Sequence, residues 1–193
     1  MSRLAERALF LRSFIAHPRK VGAVLPTSRR AVRDMLDMGR LEEARCVVEL
    51  GAGTGVYTGE ILTRMPADGS LLAFEVDPNL ASAIGRQISD RRLRVLNESA
   101  EDVAAHLHGA KADVIVSGLP YTSLPAPVRT RILDESRRAL APGGTMLVLQ
   151  YSPFVERELR SRFGEVRRRV SPLNVPPAFL FAATGDSRPG AGQ

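Results

Sequence analysis

Tryptophan is absent from the 193 residues, tyrosine occurs three times and cysteine once. A lone cysteine, Cys46, excludes an internal disulfide framework, and a reducing compartment is the simplest setting. No run reaches the ~20 uninterrupted apolar residues of a spanning helix. The longest uncharged stretch, 139–155, is broken by Pro142, Gly143, Gly144 and Pro153. Arg7 and Arg12 interrupt what would have to be the apolar core of a secretory signal. Excess charge is also missing outside the N-terminal fifth. Residues 1–40 hold nine Lys/Arg against three Asp/Glu, and the remainder holds 18 of each. The net charge of +6 thus lies in one segment, which points to a polyanionic partner, a membrane or a nucleic acid. What is present is ordinary for one globular domain: 44% apolar and 25% charged residues.

One stretch organises the rest. Cys46-Val47-Val48-Glu49-Leu50 is a short apolar run that leads into Gly51, Gly53 and Gly55. Such a run before clustered glycines predicts a buried parallel strand closing in a tight turn, and 56–65 predicts the following helix. A dinucleotide fingerprint wants its third small residue at 56, where Val56 stands. A phosphate loop needs Gly-Lys-Ser/Thr, and no lysine follows. The spacing E-x-G-x-G-x-G resembles motif I of class I S-adenosylmethionine (SAM) methyltransferases. Glu49 supplies a negative charge for the ammonium or sulfonium of such a cofactor. A second apolar run, 71–74, ends in Glu75, where a carboxylate can accept from both ribose hydroxyls. Asp77-Pro78 reads as the N-cap and first position of the next helix.

Strands are expected at 92–96, 113–117, 145–150, 165–171 and 178–184, with helices at 28–38, 100–107, 127–140 and 152–163. Alternating βα units imply a doubly wound α/β sheet, of seven mostly parallel strands with helices on both faces. Its ligands sit beyond the carboxyl ends of the strands. Residues 2–16 plot as an amphipathic helix, with Leu4, Ala8, Leu11 and Ile15 in line and Phe10 and Phe14 widening the face. Flanking basic residues give it the pattern of an interfacial membrane helix; the alternative is a helix packed on the domain. Residues 1–40 are read as an N-terminal amphipathic helix and capping segment, 41–184 as the α/β domain and 185–193 as a mobile tail. Thr27 or Ser28 is expected to cap helix 28–38, or else to offer a helix N-terminus to a cofactor carboxylate.

Tyr57, Tyr121 and Tyr151 each follow the carboxyl end of an expected strand. They are read either as an aromatic cluster for a quaternary ammonium or as ordinary rim residues.

Six blocks carry a more specific resemblance: 10–28, 48–58, 73–78, V-S-G-L-P-Y-T-S-L-P (116–125), A-P-G-G (141–144) and N-V-P-P-A (174–178). Together they resemble the bacterial phospholipid N-methyltransferases, which convert phosphatidylethanolamine towards phosphatidylcholine. The resemblance implies a Rossmann-like class I methyltransferase, with SAM as cofactor and a membrane phospholipid as partner. It implies an ethanolamine head group as acceptor among anionic lipids, at the inner face of the cell membrane. No metal, nucleic acid or second copy is expected. Glu49, Gly51, Gly53, Gly55, Glu75, Ser99, Ala100, Ser117, Thr27 and Ser28 are the expected cofactor contacts. Gly118, Leu119, Pro120, Tyr57 and Tyr151 are the expected acceptor contacts, and Tyr121 the expected proton acceptor. Two departures stand out. Glu98-Ser99-Ala100 replaces the usual Gly-Asp-Ala at the adenine end. Gly118 stands where the similar Asn-Leu-Pro-Tyr of ribosomal RNA adenine dimethyltransferases has asparagine. An adenine N6-methyltransferase is the second expectation.

Overall fold

The computed structural model describes residues 28–172 and 176–185. Helix 2–16, Thr27, Asn174 and Val175 of the 174–178 block and the tail beyond 185 lie outside the described residues. The strands are β1 (Cys46–Leu50), β2 (Ser70–Phe74), β3 (Leu93–Leu96), β4 (Ala112–Ser117), β5 (Leu140–Gln150), β6 (Glu165–Ser171) and β7 (Ala178–Thr184). The helices are α1 (Arg29–Leu36), α2 (Val56–Leu62), α3 (Pro78–Gln87), α4 (Val103–His106), α5 (Ala126–Ala139) and α6 (Glu156–Arg160). One seven-stranded sheet runs β3-β2-β1-β4-β5-β7-β6. β7 is antiparallel to both its neighbours and the other pairings are parallel.

The central strands are apolar on both faces because both are covered. Val48, Leu50, Ile115 and Val148 face a layer that includes Val103, Ile132, Leu133 and Leu159 of the α4–α6 side. Val47, Val114, Val116 and Leu147 pack with Ala31, Val32, Met35, Leu36 and Ile61 of α1 and α2. Each large aliphatic side chain buried this way contributes about 1.5–3 kcal/mol. α1, grouped above with the N-terminal segment, therefore belongs to the core of the sheet domain. It starts where Ser28 Oγ accepts from the Ala31 N–H at 3.1 Å. α3 starts as expected, with Asp77 accepting from the Asn79 and Leu80 N–H groups and Pro78 at the first position.

The clearest departure is β5. It begins at Leu140, and the 142–144 segment forms an irregularity between the Ala112–Leu140 and Val114–Thr145 pairings. Gly143 has φ +74°, a left-handed conformation that only glycine adopts freely. α5 thus ends without help from Pro142, and the Pro-Gly-Gly motif serves as a kink within a strand. Among the described residues no helix is long and apolar enough to cross a membrane.

Candidate active site

The parallel strands deliver five chain segments to one rim, at their carboxyl ends. The turn after β1 is fixed first. The Gly51 and Ala52 N–H groups both donate to the Phe74 carbonyl, at 2.9 and 3.0 Å. Gly51 has φ +76°, and a Cβ there would lie 2.7 Å from Leu119 Cδ2. A side chain is therefore excluded twice, by conformation and by space.

Glu75 ties this turn to the next. Its Oε2 accepts from the Gly53 N–H and its Oε1 from the Asp77 N–H, each at 2.8 Å. Asn97 Nδ2 donates to the Glu75 carbonyl at 2.9 Å. Each carboxylate oxygen can accept a second hydrogen bond, so the group is oriented yet still open to two hydroxyls. Gly51, Gly53, Glu75, Glu98, Ala100 and the Gly118-Leu119-Pro120 turn line a hollow of about 130 Å³. Phe74, Val76 and Leu80 complete its apolar wall.

Glu49 is fully buried at the end of β1. Its Oε2 accepts from Thr58 Oγ1 at 2.7 Å. Its Oε1 is buried and has no hydrogen-bond partner among the described residues. Burial pushes the carboxyl up from 4.5 to about 7; the Thr58 hydroxyl opposes this, and the charge of Glu75 adds to it. An unpaired buried acceptor is costly, and a cationic ligand atom is the kind of group that relieves it. The residues present thus fit SAM: an open glycine turn, a ribose-type carboxylate and a buried acid lacking a partner.

Other expected residues hold different posts. Ser99 Oγ caps a short 3-10 turn by accepting from the Glu101 N–H at 3.2 Å, and it is Glu98, one residue earlier, that lines the hollow. Ser117 is fully buried, with its hydroxyl 3.0 Å from the Tyr121 hydroxyl, and it does not line the hollow. Ser28 caps α1, the plainer of its two expected roles. The three tyrosines do not form one cluster. Tyr57 and Tyr151 pack with the α1–α2 layer, Tyr121 with the opposite one. Tyr121 is fully buried, and burial lifts its phenol pKa well above 10. A phenol whose anion is disfavoured and whose hydroxyl is engaged internally is a poor base, which corrects the proton-acceptor role expected of it.

Gly118 has a local reason to be glycine. A Cβ there would meet Tyr57 Cε2 at 2.7 Å and the Gly51 carbonyl at 3.2 Å. The ring of Tyr57 takes the space that an asparagine side chain would need. Two positioning residues were missed by sequence reasoning. Gln150 Nε2 donates to the Leu119 carbonyl at 2.8 Å from a buried site. Arg129 donates to the Leu124 carbonyl at 2.9 Å while pairing with Glu158 at 2.6 Å. Gln150 could have been noticed as the polar end of an apolar strand; Arg129 had no local signal.

The glycine turn, the two strand-end acids and the strand order define a class, and the family comparison agrees with it. A methyltransferase-domain family matches residues 47–144, and the chain belongs to the class I SAM-dependent methyltransferases. Within that class, an ornithine lipid N-methyltransferase of Singulisphaera acidiphila is 32% identical over 92% of this chain and 95% of its own length. A ribosomal RNA small subunit methyltransferase A of Synechococcus is 26% identical over 78% of this chain and 54% of its own. The O-methyltransferase TomG of Streptomyces achromogenes, solved with SAM, has a TM-score of 0.66 at 16% identity, over 91% of this chain and 89% of that one. At that identity the likeness is one of fold.

Proposed function

We propose that this protein methylates the amine of a membrane-lipid head group, with phosphatidylethanolamine as the acceptor. The observation that carries the reading is the similarity to a lipid N-methyltransferase over 92% of this chain, combined with the lack of room for a side chain at position 118. A flat adenine amino group benefits from a side-chain acceptor at that position, and Tyr57 fills the place of one. An alkyl amine needs no such acceptor.

When bound, SAM supplies an electrophilic methyl group on a sulfonium. The chain's residues do the rest. Glu75 and the Gly53 backbone would hold the ribose end, Glu98 and Ala100 would border the adenine end, and Glu49 would offset positive charge at the methionine end. Leu119 and Pro120 present apolar surface beside the glycine turn. The acceptor's difficulty is its proton, since a primary ammonium resembles lysine's, with a pKa of about 10.4. A dry wall and a nearby sulfonium both disfavour a second cation, so the neutral amine is the form held there. Tyr121 is buried and bonded to Ser117, which makes it a poor base, so in this reading the proton leaves to solvent at the mouth of the hollow before attack. Positioning then supplies most of the acceleration. The basic N-terminal segment brings the protein to the inner face of the membrane as a peripheral enzyme.

The ribosomal RNA relative supports a second reading, adenine N6-methylation, and the likeness of Leu119-Pro120-Tyr121 to the Asn-Leu-Pro-Tyr of ribosomal RNA adenine dimethyltransferases favours it. The chain spans only about half of that relative. Methyl-labelled SAM offered with ethanolamine-lipid vesicles, ornithine-lipid vesicles or ribosomal RNA separates the readings. Label in the ethanolamine lipid is expected. Label confined to ornithine lipid would revise the head group, and label confined to RNA would overturn the proposal.

A further inference from the structure

Only three large apolar side chains are exposed among the described residues: Val56 at 40%, Phe154 at 51% and Val170 at 48%. All three lie on the carboxyl rim. Val56 opens α2 just beyond the glycine turn, and Phe154 follows the end of β5. Val170 is brought to the same level by register, because Gln150 pairs with Phe179 and Phe179 with Val170. Phe154 is held in place on one side, with the Arg129 guanidinium 4.9 Å from its ring centroid.

Charge on this rim is divided. Glu75, Asp77 and Glu98 lie at its β2–β3 end, around the hollow. The β5–β6 end is basic. Ser171 Oγ bonds to Asp34 and Arg167 to the Met38 carbonyl, so α1 runs opposite to β6. The first turn of α1, with exposed Arg29 and Arg30, therefore lies beyond Ser171 on the rim. Exposed Arg157 follows Phe154, and Arg169 precedes Val170. Arg30, Arg157 and Arg169 make no ion pair with a described acid.

We propose that the β5–β6 end of this rim is a second membrane contact, seated on anionic lipid through Phe154 and Val170, with Arg30, Arg157 and Arg169 beside phosphate groups. This rests on the lipid-amine reading and adds to it the orientation of the catalytic domain. Exposed apolar side chains set among cations that pair with no described acid suit the boundary between anionic head groups and acyl chains, where both find partners at once. The contact turns the acidic, hollow-bearing half of the rim towards the bilayer, where an amine head group can enter sideways.

The test uses the full-length chain with Cys46→Ser and a single new cysteine, Phe154→Cys, Val170→Cys or, as control at the opposite end of the sheet, Asp68→Cys. Each carries an environment-sensitive fluorophore and is mixed with phosphatidylcholine vesicles with or without phosphatidylglycerol. Labels at 154 and 170 should shift to the blue on anionic vesicles and be quenched by brominated lipid, whereas the label at 68 should not. In unlabelled protein, each of Arg30→Ser, Arg157→Ser and Arg169→Ser should weaken partitioning about fivefold, the effect of one basic residue near an anionic leaflet. Vesicle binding with solvent-like labels at 154 and 170 would overturn the proposal, placing the contact elsewhere in the chain. Methyl transfer to detergent-dispersed ethanolamine lipid is measured in parallel. Transfer without the label shift overturns the contact alone; the shift without transfer supports the contact and overturns the lipid-amine reading.

Discussion

Replacing Glu49 by glutamine should change how the stability of this protein depends on pH. The carboxyl titrates near 4.5 when unfolded and near 7 when buried. Below pH 4.5 both states are protonated, and the group contributes no pH dependence. Between 4.5 and 7 the unfolded chain has released the proton and the folded one keeps it, so stability falls as pH rises. The loss is complete above the folded pKa. Each tenfold difference in proton affinity between the two states is worth about 1.4 kcal/mol, so the loss amounts to about 3 kcal/mol. Glu49→Gln keeps the shape and removes the titration. Urea denaturation of both proteins at pH 5, 6, 7 and 8 isolates the effect as a difference. The variant should gain on the wild type by about 2.5 kcal/mol between pH 5 and 8. Parallel curves would refute the idea that the buried acid is held neutral. Bound SAM should reverse the sign, because its positive groups favour the carboxylate. The wild type should release a proton on binding near pH 6.5, seen as a calorimetric heat that varies with buffer, and the variant should not.

Three further substitutions bear on the site. Glu75→Ala removes the acceptor of two backbone bonds and the carboxylate proposed to hold the ribose; SAM binding measured by calorimetry should weaken about 100-fold or more, and an unchanged affinity would remove Glu75 from the site. Gly118→Asn places a Cβ 2.7 Å from the Tyr57 ring; it should lower the melting temperature and lipid methylation together, unless Tyr57→Ala is added to make room. Tyr121→Phe loses only the bond to Ser117, about 1 kcal/mol of stability. Its turnover at saturating substrates should stay within about threefold of wild type, and a drop of 100-fold or more would restore the phenol to the chemistry.

Much of this was legible in the sequence because it rests on local rules. Strand bounds at 46–50, 165–171 and 178–184 match alternation and apolar content, and Asp77-Pro78 caps α3 as its residue types require. The cofactor turn was legible because glycine spacing there is dictated by backbone conformation. What failed depended on which way a chain leaves a strand. Tyr121 was expected to face the site because it follows β4. The turn instead folds back through the Tyr121 N–H to Leu119 carbonyl bond, and the ring enters the α4–α6 layer. Ser99 caps a short turn, which commits its hydroxyl, and Glu98 is the neighbour that lines the hollow; which way a side chain leaves such a turn has no local signal. The role of Gly118 lies in a contact with Tyr57, 61 positions away in the chain and invisible without the fold.

Methyl transfer from a donor held at the Gly51–Gly55 turn to a lipid amine is measured most directly by mass spectrometry. The lipid is recovered after purified enzyme acts on ethanolamine-lipid vesicles and ribosomal RNA together, with trideuteromethyl-labelled SAM. Deuterated methyl groups on the head-group nitrogen are the predicted result, abolished by Glu75→Ala. Unlabelled lipid from an enzyme that binds SAM and labels RNA adenines in the same mixture would contradict it.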